Sequence, residues 1–511
     1  MRKLILTAAI FFSVFATSRA QNPTILTNVS PYSRYGIGDI QFNQGMFNAG
    51  MGGGGIGYRN DSLIPQYINL QNPASYTGHQ IVAYEVSLLS NTVQLQNSTT
   101  TGTFNRTTLG NFSMAFPVTK WWGAGFGLTP YSNVGYNLSL SDNPANIGPV
   151  TYKYEGSGGV DQVFITNAFR PFAGAPRKFL LSDSYDKLKL ANDTSAMQRK
   201  LKMRNALANI SVGVTSSYLF GTLNYVRRDE FPDSLYNFNT KISKRTQFRD
   251  FYLNYGVQYT FRLPKSLNPL YHSLPDSVIT GKKIFSNYFS YTLHGKSDTA
   301  KLFIRKPGIR VSVGFVFSLP TDINVSSDIL AQTYKLYGTI EQFRDTVFNN
   351  TNIPSRIVIP AMYGAGFALK KDFRWVFQAD YMTQLWSQST IMGQDPGLKD
   401  SRRVTAGFQF QPKQAGRGNF LGTGQYRVGV RYYQTYLDLM DTRLTEMSAN
   451  LSLAFQVPHN THIGEPVSRL QVTFEYGMRG TTSNNLVQEN FYRVTLGLTI
   501  NDRWFNHYKY D

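Results

Sequence analysis

Residues 492–500 read YRVTLGLTI, and this stretch decides the fold. Every second residue from Tyr492 to Ile500 is large and apolar, and the residues between them are Arg, Thr or Gly. A repeat of two residues is typical of a β-strand. A strand with one apolar and one polar face fits between lipid and a polar lumen, as in membrane-spanning barrels.

The same alternation recurs upstream, at 470–478 and at 251–261. These runs reach about ten residues, which suits a tilted barrel strand, whereas strands of soluble proteins usually have about five or six. A soluble β-sandwich is the alternative, and it would have to bury faces that are rich in Tyr and Phe. Because backbone groups in lipid must all be paired, membrane-spanning strands have to close into a barrel. We therefore predict an all-β, antiparallel transmembrane barrel.

The pattern predicts fourteen strands, and the eighth is interrupted around 340–355. They begin near Gln80, Thr107, Gly123, Val150, Ala206, Asn239, Gly308, Gln332, Trp375, Ser401, Tyr426, Leu444, Leu470 and Asn490. An even number places both ends of the barrel on the periplasmic side.

The first residues have the features of a secretory signal peptide, which we expect to be cut after Ala20. Met1-Arg2-Lys3 is basic, 4–16 is apolar, and Ser18-Arg19-Ala20 places small residues at the cleavage site. No later stretch has the roughly 20 apolar residues of a transmembrane helix. The sequence thus predicts export to the outer membrane, where lipid surrounds the barrel.

Composition excludes several classes of protein. Aromatic residues make up 14% of the 511 residues and charged residues 16%, which excludes a disordered chain. The absence of Cys excludes disulfides, thiolate metal sites and a cysteine nucleophile. The formal charge is +20, and much of it lies in two long turns. Turn 170–204 has nine basic and three acidic residues, and turn 263–308 has seven basic and two acidic residues.

With fourteen strands, both basic turns fall on the periplasmic side. We expect them to meet anionic lipid headgroups or an acidic protein partner, and the alternative is a solvated loop whose charge serves solubility. Nucleic acid is not an expected partner, because an exported barrel rarely meets it.

Several short motifs, in order along the chain, resemble the FadL-type outer-membrane transporters. SRYGIGD at 33–39, the glycine-rich 49–55 and NLQNPA at 69–74 resemble the N-terminal hatch of that family. GLTPYS at 127–132 is similar to its third strand. Pro360 through Gly366, followed by Trp375, Asp380 and Trp386, is similar to its central run. The resemblance covers most of 33–170, 205–262 and 308–505, and the two basic turns depart from it.

The resemblance implies a fourteen-stranded barrel for passive uptake of hydrophobic molecules such as long-chain fatty acids. It divides the chain into a signal peptide (1–20), a hatch that fills the lumen (21–79), the barrel (80–505) and a short tail (506–511). Asn72, Pro73 and Ala74 would belong to the hatch, and Pro130 would kink the third strand to open a lateral exit. Proline lacks a backbone donor, so Pro130 fits such a break, although a bulge that only shapes the wall is the alternative.

Alternation places polar residues inside the lumen, among them seven arginines. The inward-facing set is Arg262, Arg310, Arg403, Arg427, Arg431, Arg479, Arg493, Gln378, Asp380 and Glu475. Their guanidinium groups either bind a carboxylate or phosphate headgroup or pair with acids of the barrel and hatch. Our candidate ligand contacts are Asp380, Arg427, Arg431 and Trp386.

Nothing in the sequence predicts an enzyme, a cofactor or a metal site. His459, His462 and Glu465 have a ligand-like spacing, but they fall in a polar turn, which favours solvated surface. The glycines at 50–57 lack the Lys-Ser/Thr of a phosphate loop. Three functions remain open: a FadL-like transporter, a non-transporting subunit of an outer-membrane assembly or type IX secretion complex, and a general polar porin.

Overall fold

A computed structural model describes residues 30–42, 45–60, 67–97, 100–144, 148–173, 203, 206–232, 237–263, 309–371, 374–413, 420–457 and 467–502. The chain is a closed antiparallel barrel around an N-terminal hatch. The strands are β1 Asp39–Ile40, β2 Val82–Gln96, β3 Thr101–Pro117, β4 Trp122–Asp142, β5 Val150–Phe169, β6 Ile210–Glu230, β7 Asn239–Arg262, β8 Ile309–Ser318, β9 Thr321–Tyr337, β10 Ile340–Ile359, β11 Met362–Lys371, β12 Trp375–Gln384, β13 Ser401–Phe410, β14 Gln425–Leu439, β15 Thr442–Gln456, β16 Arg469–Arg479 and β17 Gln488–Asp502.

The predicted number of fourteen barrel strands is confirmed. β1 belongs to the hatch, β8 and β9 both pair with β7 and form one barrel strand, and β10 and β11 form the next. β17 pairs with β2 along fifteen residues and closes the barrel. The helices are short: Pro31–Arg34, Met46–Ala49, Pro73–Gly78, Trp386–Gln388 and Ser483–Asn485. Of the helices among the described residues, none has the length and hydropathy that a membrane crossing needs.

The predicted start of the eighth strand is wrong. That strand begins at Ile340, and Gln332 lies in β9, within the seventh. The turn between them is only two residues long, and Gly338 reaches its φ of +64° at no steric cost. Because the turn is so short and the residues around it are polar, the alternation of apolar and polar residues does not reveal it. The other thirteen strands begin within six residues of their predicted starts.

The strands carry apolar residues outside and polar residues inside. On β14, Val428 and Val430 face outward, and Val430 is 55% exposed, whereas Arg427 and Arg431, which flank them, are buried. This arrangement is opposite to that of a soluble protein, and it is what lipid outside and a polar lumen require.

The hatch runs through the lumen from end to end. We call the end with the tight turns at 338–339 and 440–441 the upper end, and the end where β2 begins the lower end. Ser30 bonds to the Gly135 carbonyl near the upper end, and helix Pro73–Gly78 lies at the lower end against β5 and β6. Buried residues such as Phe47, Met51 and Ile68 fill the space between.

The barrel wall is uneven in height. β4 through β11 form a tall half, in which β7 alone has 24 residues, whereas β12 and β13 have ten each. Among the described residues, the β9–β10 hairpin rises well above β12, because β12 ends at Gln384 opposite Met362 while β10 continues upward to Ile340. All residues from 342 to 352 are exposed.

Candidate functional site: a slot in the barrel wall beside Pro130

The wall is open between the upper parts of β3 and β4. Their ladder has six residue pairs, from Pro117–Gly123 at the lower end to Phe112–Leu128. Above that point β3 continues to Thr101, paired only with β2, and β4 continues to Asp142, paired with β5. A slot therefore separates 101–111 from 129–142 among the described residues.

Pro130 lies at the lower corner of this slot. It is two residues beyond Leu128, and the register of β4 against β5 shifts between Pro130 and Ser132. Proline has no N–H to offer a neighbouring strand, so the ladder to β3 could not continue undisturbed through this position. The sequence left open a break in the ladder or a bulge that only shapes the wall at this position, and the role of Pro130 as a gate stays a prediction.

The hatch occupies part of the strand edge that β3 leaves. β1 pairs with β4 through Asp39–Asn133 and Ile40–Ser132, and the Gln41 N–H donates to the Tyr131 carbonyl at 2.9 Å. β1 is also held by β16, where Arg479 Nη1 lies 2.6 Å from Asp39 Oδ1.

Arg479 itself is fixed by further contacts. Its Nε donates to Glu489 Oε2 at 2.8 Å, and its Nη2 donates to the Ser30 hydroxyl at 2.8 Å. Tyr436 adds a hydrogen bond from its hydroxyl to the Gly38 carbonyl. The hatch strand in the slot is thus clamped by β14, β16 and β17.

Two adjoining pockets, of about 70 and 40 Å³, lie directly inside the slot. Both are lined by Asp39, Gln41, Leu89, Pro130 and Arg493. The larger extends toward Glu446 and Glu475, and the smaller extends along β3 past Phe104, Arg106 and Thr108.

The four candidate ligand contacts do not line these pockets. Asp380 is occupied by the hatch, because its Oδ2 accepts from the Gly55 N–H at 2.6 Å and its Oδ1 from the Gly57 N–H at 3.3 Å. Trp386 is fully buried in the apolar cluster of the upper end, with its ring centroid 4.9 Å from that of Tyr436.

The two candidate arginines are also engaged by protein groups. Arg427 donates to Gln409 at 2.7 Å and to Gln425 at 2.6 Å, and its guanidinium lies 4.5 Å from the ring centroid of Tyr67 in the hatch. Arg431 pairs with Glu446 at 2.9 Å and with Glu475. Of the two roles that the sequence allowed, this geometry fits pairing with the barrel and hatch.

The Asn-Pro-Ala motif fastens the hatch at the lower end. Asn72 caps helix Pro73–Gly78 by accepting from the Ala74 N–H at 3.0 Å, and its Nδ2 donates to the Ile56 carbonyl at 2.8 Å. Pro73 starts the helix at the first position, where a missing N–H costs nothing. Asn72, Pro73 and Ala74 are all buried.

Sequence reasoning missed Glu85, which holds the hatch from the first barrel strand. Its Oε2 accepts from the Met46 N–H at 3.1 Å and its Oε1 from the Ile68 N–H at 2.9 Å. The available signal was an acid between apolar Tyr84 and Val86, on the face that alternation directs inward.

A family model described as BamG matches residues 1–174 and 305–511. The chain belongs to the BamG family. The match to the BamG model leaves out 175–304, a stretch that holds most of both basic turns. No curated protein sequence matches the chain significantly.

Solved structures resemble this BamG-family chain in fold. The toluene transporter TodX of P. putida superposes with a TM-score of 0.50 at 11% identity, covering 91% of this chain and 100% of that chain. A FadL homologue of Pseudomonas aeruginosa gives a TM-score of 0.49 at 8% identity, covering 89% and 98%. The TodX superposition shows a shared fold, which supports the FadL-type architecture predicted from the sequence motifs.

In this BamG-family barrel the hatch lies directly against wall glycines. A Cβ at Gly314 would lie 1.9 Å from the Ile56 carbonyl oxygen, and a Cβ at Gly213 would lie 2.5 Å from the Pro73 carbonyl carbon. Contacts of this kind require glycine, because the opposing atoms are backbone and cannot move aside alone. The hatch is therefore fitted to the wall as well as hydrogen-bonded to it.

The hatch of the BamG-family chain also carries a buried histidine, which predicts a loss of stability in acid. Burial lowers the pKa of His79 to about 4 from its ordinary 6.5. The unfolded chain then binds the proton more readily, so the stabilisation is complete above pH 6.5 and is lost as the pH falls toward 4. We expect a loss of about 3 kcal/mol in the free energy of unfolding over that range.

Urea unfolding in detergent at pH 7 and pH 4 checks this, with His79→Gln as the comparison. The variant should lose less stability between the two pH values than the natural chain does. Equal losses in both proteins would contradict the assignment to His79.

Several predicted features of the BamG-family chain lie outside the described residues. They are the signal peptide 1–20, nearly all of the basic turns 170–204 and 263–308, the His459 to Glu465 group and the tail 506–511. Within the described part of the chain, no group of three or more His, Asp or Glu residues could hold a metal ion.

Proposed function

We propose that this barrel is a passive outer-membrane channel for small hydrophobic molecules of the long-chain fatty acid kind, which pass between lumen and bilayer through the slot. One observation carries the proposal: the β3–β4 ladder ends at Phe112–Leu128, beside Pro130, with a pocket directly inside. A lateral opening of this kind lets an apolar molecule leave the lumen without crossing the polar rim.

The cost of unpaired backbone groups beside lipid supports a functional role for the slot. Unpaired strand edges are costly beside lipid. A barrel that served only to anchor a complex in the membrane would gain stability from a complete ladder. Here the ladder is interrupted, and the hatch covers part of the open edge of β4, at Tyr131 to Asn133 through β1 and Gln41 and at Gly135 through Ser30 and Ser33. The shared fold with TodX agrees with a channel.

Filling the smaller pocket tests the proposal. Thr108 lines that pocket, whereas the neighbouring Thr107 is exposed on the outside of β3. We expect Thr108→Trp to lower the uptake of labelled oleate at least tenfold in a Gram-negative host that lacks its own fatty-acid channel, because the indole blocks the way to the slot. The matched variant Thr107→Trp should change uptake less than twofold. Equal uptake by all three proteins would refute passage through the slot.

A second candidate is a docking subunit of an outer-membrane assembly or secretion complex. It is favoured by the β9–β10 hairpin, whose residues 342–352 are all exposed above the neighbouring strands, and by the basic composition of 170–204 and 263–308. Surface charge contacts weaken with salt. Native mass spectrometry of protein isolated from its own membranes would show a stoichiometric partner at low salt that is lost at high salt. A lone barrel under both conditions would refute this candidate.

A further inference from the structure

We propose that the pocket inside the slot binds the oxyanion headgroup of an amphiphile, held between Arg106 of β3 and Arg493 of β17. This inference rests on the proposed passage through the slot and specifies what the slot admits. Both arginines line the smaller pocket together with Pro130 at the slot's corner.

Most of the guanidinium N–H donors of Arg493 have no partner among the described residues. Its only charged contact among the described residues is Glu475, at 3.4 Å from Nη1, and Glu475 is already held by Arg431. The guanidinium also lies 4.0 Å from the ring centroid of Phe491, which fixes its plane without using a donor. A guanidinium has five N–H donors, so most of those on Arg493 remain available.

Arg106 makes no hydrogen bond with any described residue. It lies in the upper part of β3, half-buried at the edge of the slot, and the acid that acts on it electrostatically is Asp161 across the slot on β5. An arginine half-buried without a hydrogen-bonded partner is costly, and a bidentate anion would satisfy it.

The acids that line the two pockets are already neutralised. Asp39 is bound by Arg479 at 2.6 Å, and Glu446 is bound by Arg431 at 2.9 Å. Glu475 is shared between Arg431 and Arg493. The side-chain amides of Asn91 and Asn133, which line the smaller pocket, are neutral and offer both donors and acceptors. The groups left for a ligand are therefore mainly donors, and they suit a phosphate or carboxylate.

Apolar residues in the same pocket indicate an amphiphile. Leu89, Val93 and Phe104 line it beside Arg106, and the slot opens from there onto the apolar outer face of the wall. A molecule with an anionic head between the arginines and an alkyl chain along these residues would meet both parts of the lining. A hydrocarbon without a head would leave the arginines unsatisfied.

Binding of dodecyl phosphate to the purified full-length chain in a neutral detergent tests the inference, with native mass spectrometry as the readout. We expect one bound molecule, and at least tenfold weaker binding in the double variant Arg106→Gln/Arg493→Gln. The control Arg249→Gln removes an exposed arginine of β7 and should bind as the natural chain does. Unchanged binding by the double variant would overturn the inference, and retained heat-modifiable migration on gels shows that the variants are folded.

Inorganic phosphate distinguishes a headgroup from a free anion. Binding of dodecyl phosphate at least tenfold tighter than that of phosphate supports an amphiphile site, and equal affinities would overturn it. The variant Arg106→Lys keeps the charge but loses the bidentate geometry, so it should bind with intermediate affinity. Failure of the two proposals is distinguishable: binding can persist in a protein that takes up no oleate, and oleate uptake can persist in a protein that does not bind dodecyl phosphate.

Discussion

Oxidation of an Ile40→Cys/Ser132→Cys variant is expected to lower uptake through the slot at least tenfold, and reduction is expected to restore it. The Gln41–Tyr131 pair is hydrogen-bonded, so the adjacent Ile40–Ser132 pair is a non-hydrogen-bonded one, with Cα atoms about 4.5 Å apart. That separation lies within the range of a disulfide. The natural chain has no Cys, so this pair is the only one that can form. A covalent link would keep β1 on the edge of β4 and the slot partly covered.

Oleate uptake before and after oxidation, at least tenfold lower when oxidised, checks this expectation. The two single-cysteine variants are the controls, because they carry the same substitutions without the link. If the oxidised double variant takes up oleate as fast as the reduced one, β1 does not have to leave β4 for passage.

Gly314→Ala is expected to lift the middle of the hatch from the wall. The new Cβ would lie 1.9 Å from the Ile56 carbonyl oxygen, and this carbonyl also accepts from Asn72 and Gln258. Moving it disturbs those bonds and the neighbouring contacts of Asp380 with Gly55 and Gly57. With each disrupted buried hydrogen bond costing about 1–3 kcal/mol, amide exchange at Gly55 and Gly57 should rise by roughly a hundredfold.

Hydrogen–deuterium exchange measured by mass spectrometry on 45–60 provides the readout. Gly102→Ala is the matched control, since a Cβ there would meet only the ring edge of Phe104, at 3.2 Å. Protection of 45–60 that is the same in Gly314→Ala as in the natural chain would show that the hatch is not held by this close approach.

The sequence was sufficient for the barrel because alternation reports directly which side of a strand faces lipid. Tyr492 to Ile500 predicts a lipid-facing strand, and β17 is one of the fourteen. Alternation does not report which neighbour a strand pairs with. β3 keeps its pairing with β2 up to Thr101 although its ladder with β4 ends at Phe112, so the slot could be located only through Pro130.

The roles of the inward polar residues needed the structure for a related reason. The alternation of apolar and polar residues placed Asp380, Arg427 and Arg431 inside the barrel, and they are buried there. It could not show that their partners are the Gly55 and Gly57 amides, Gln409 and Glu446, because those contacts depend on how the hatch threads the lumen. Of the two pocket arginines, Arg493 belongs to the inward-facing set, whereas the alternation did not place Arg106 there; both line the smaller pocket beside the slot.

Because the wall is uneven in height, one side of the upper mouth of the barrel stands higher than the other. The tall half begins at β4, so the slot lies at the boundary between tall and low halves. The β5 to β10 strands rise higher on one side of the mouth, and between the short β12 and β13 Trp386 and Leu398 are buried in the apolar cluster of the upper end. In the proposed channel, a molecule that enters from the upper end would therefore meet tall strands on one side and a low rim on the other.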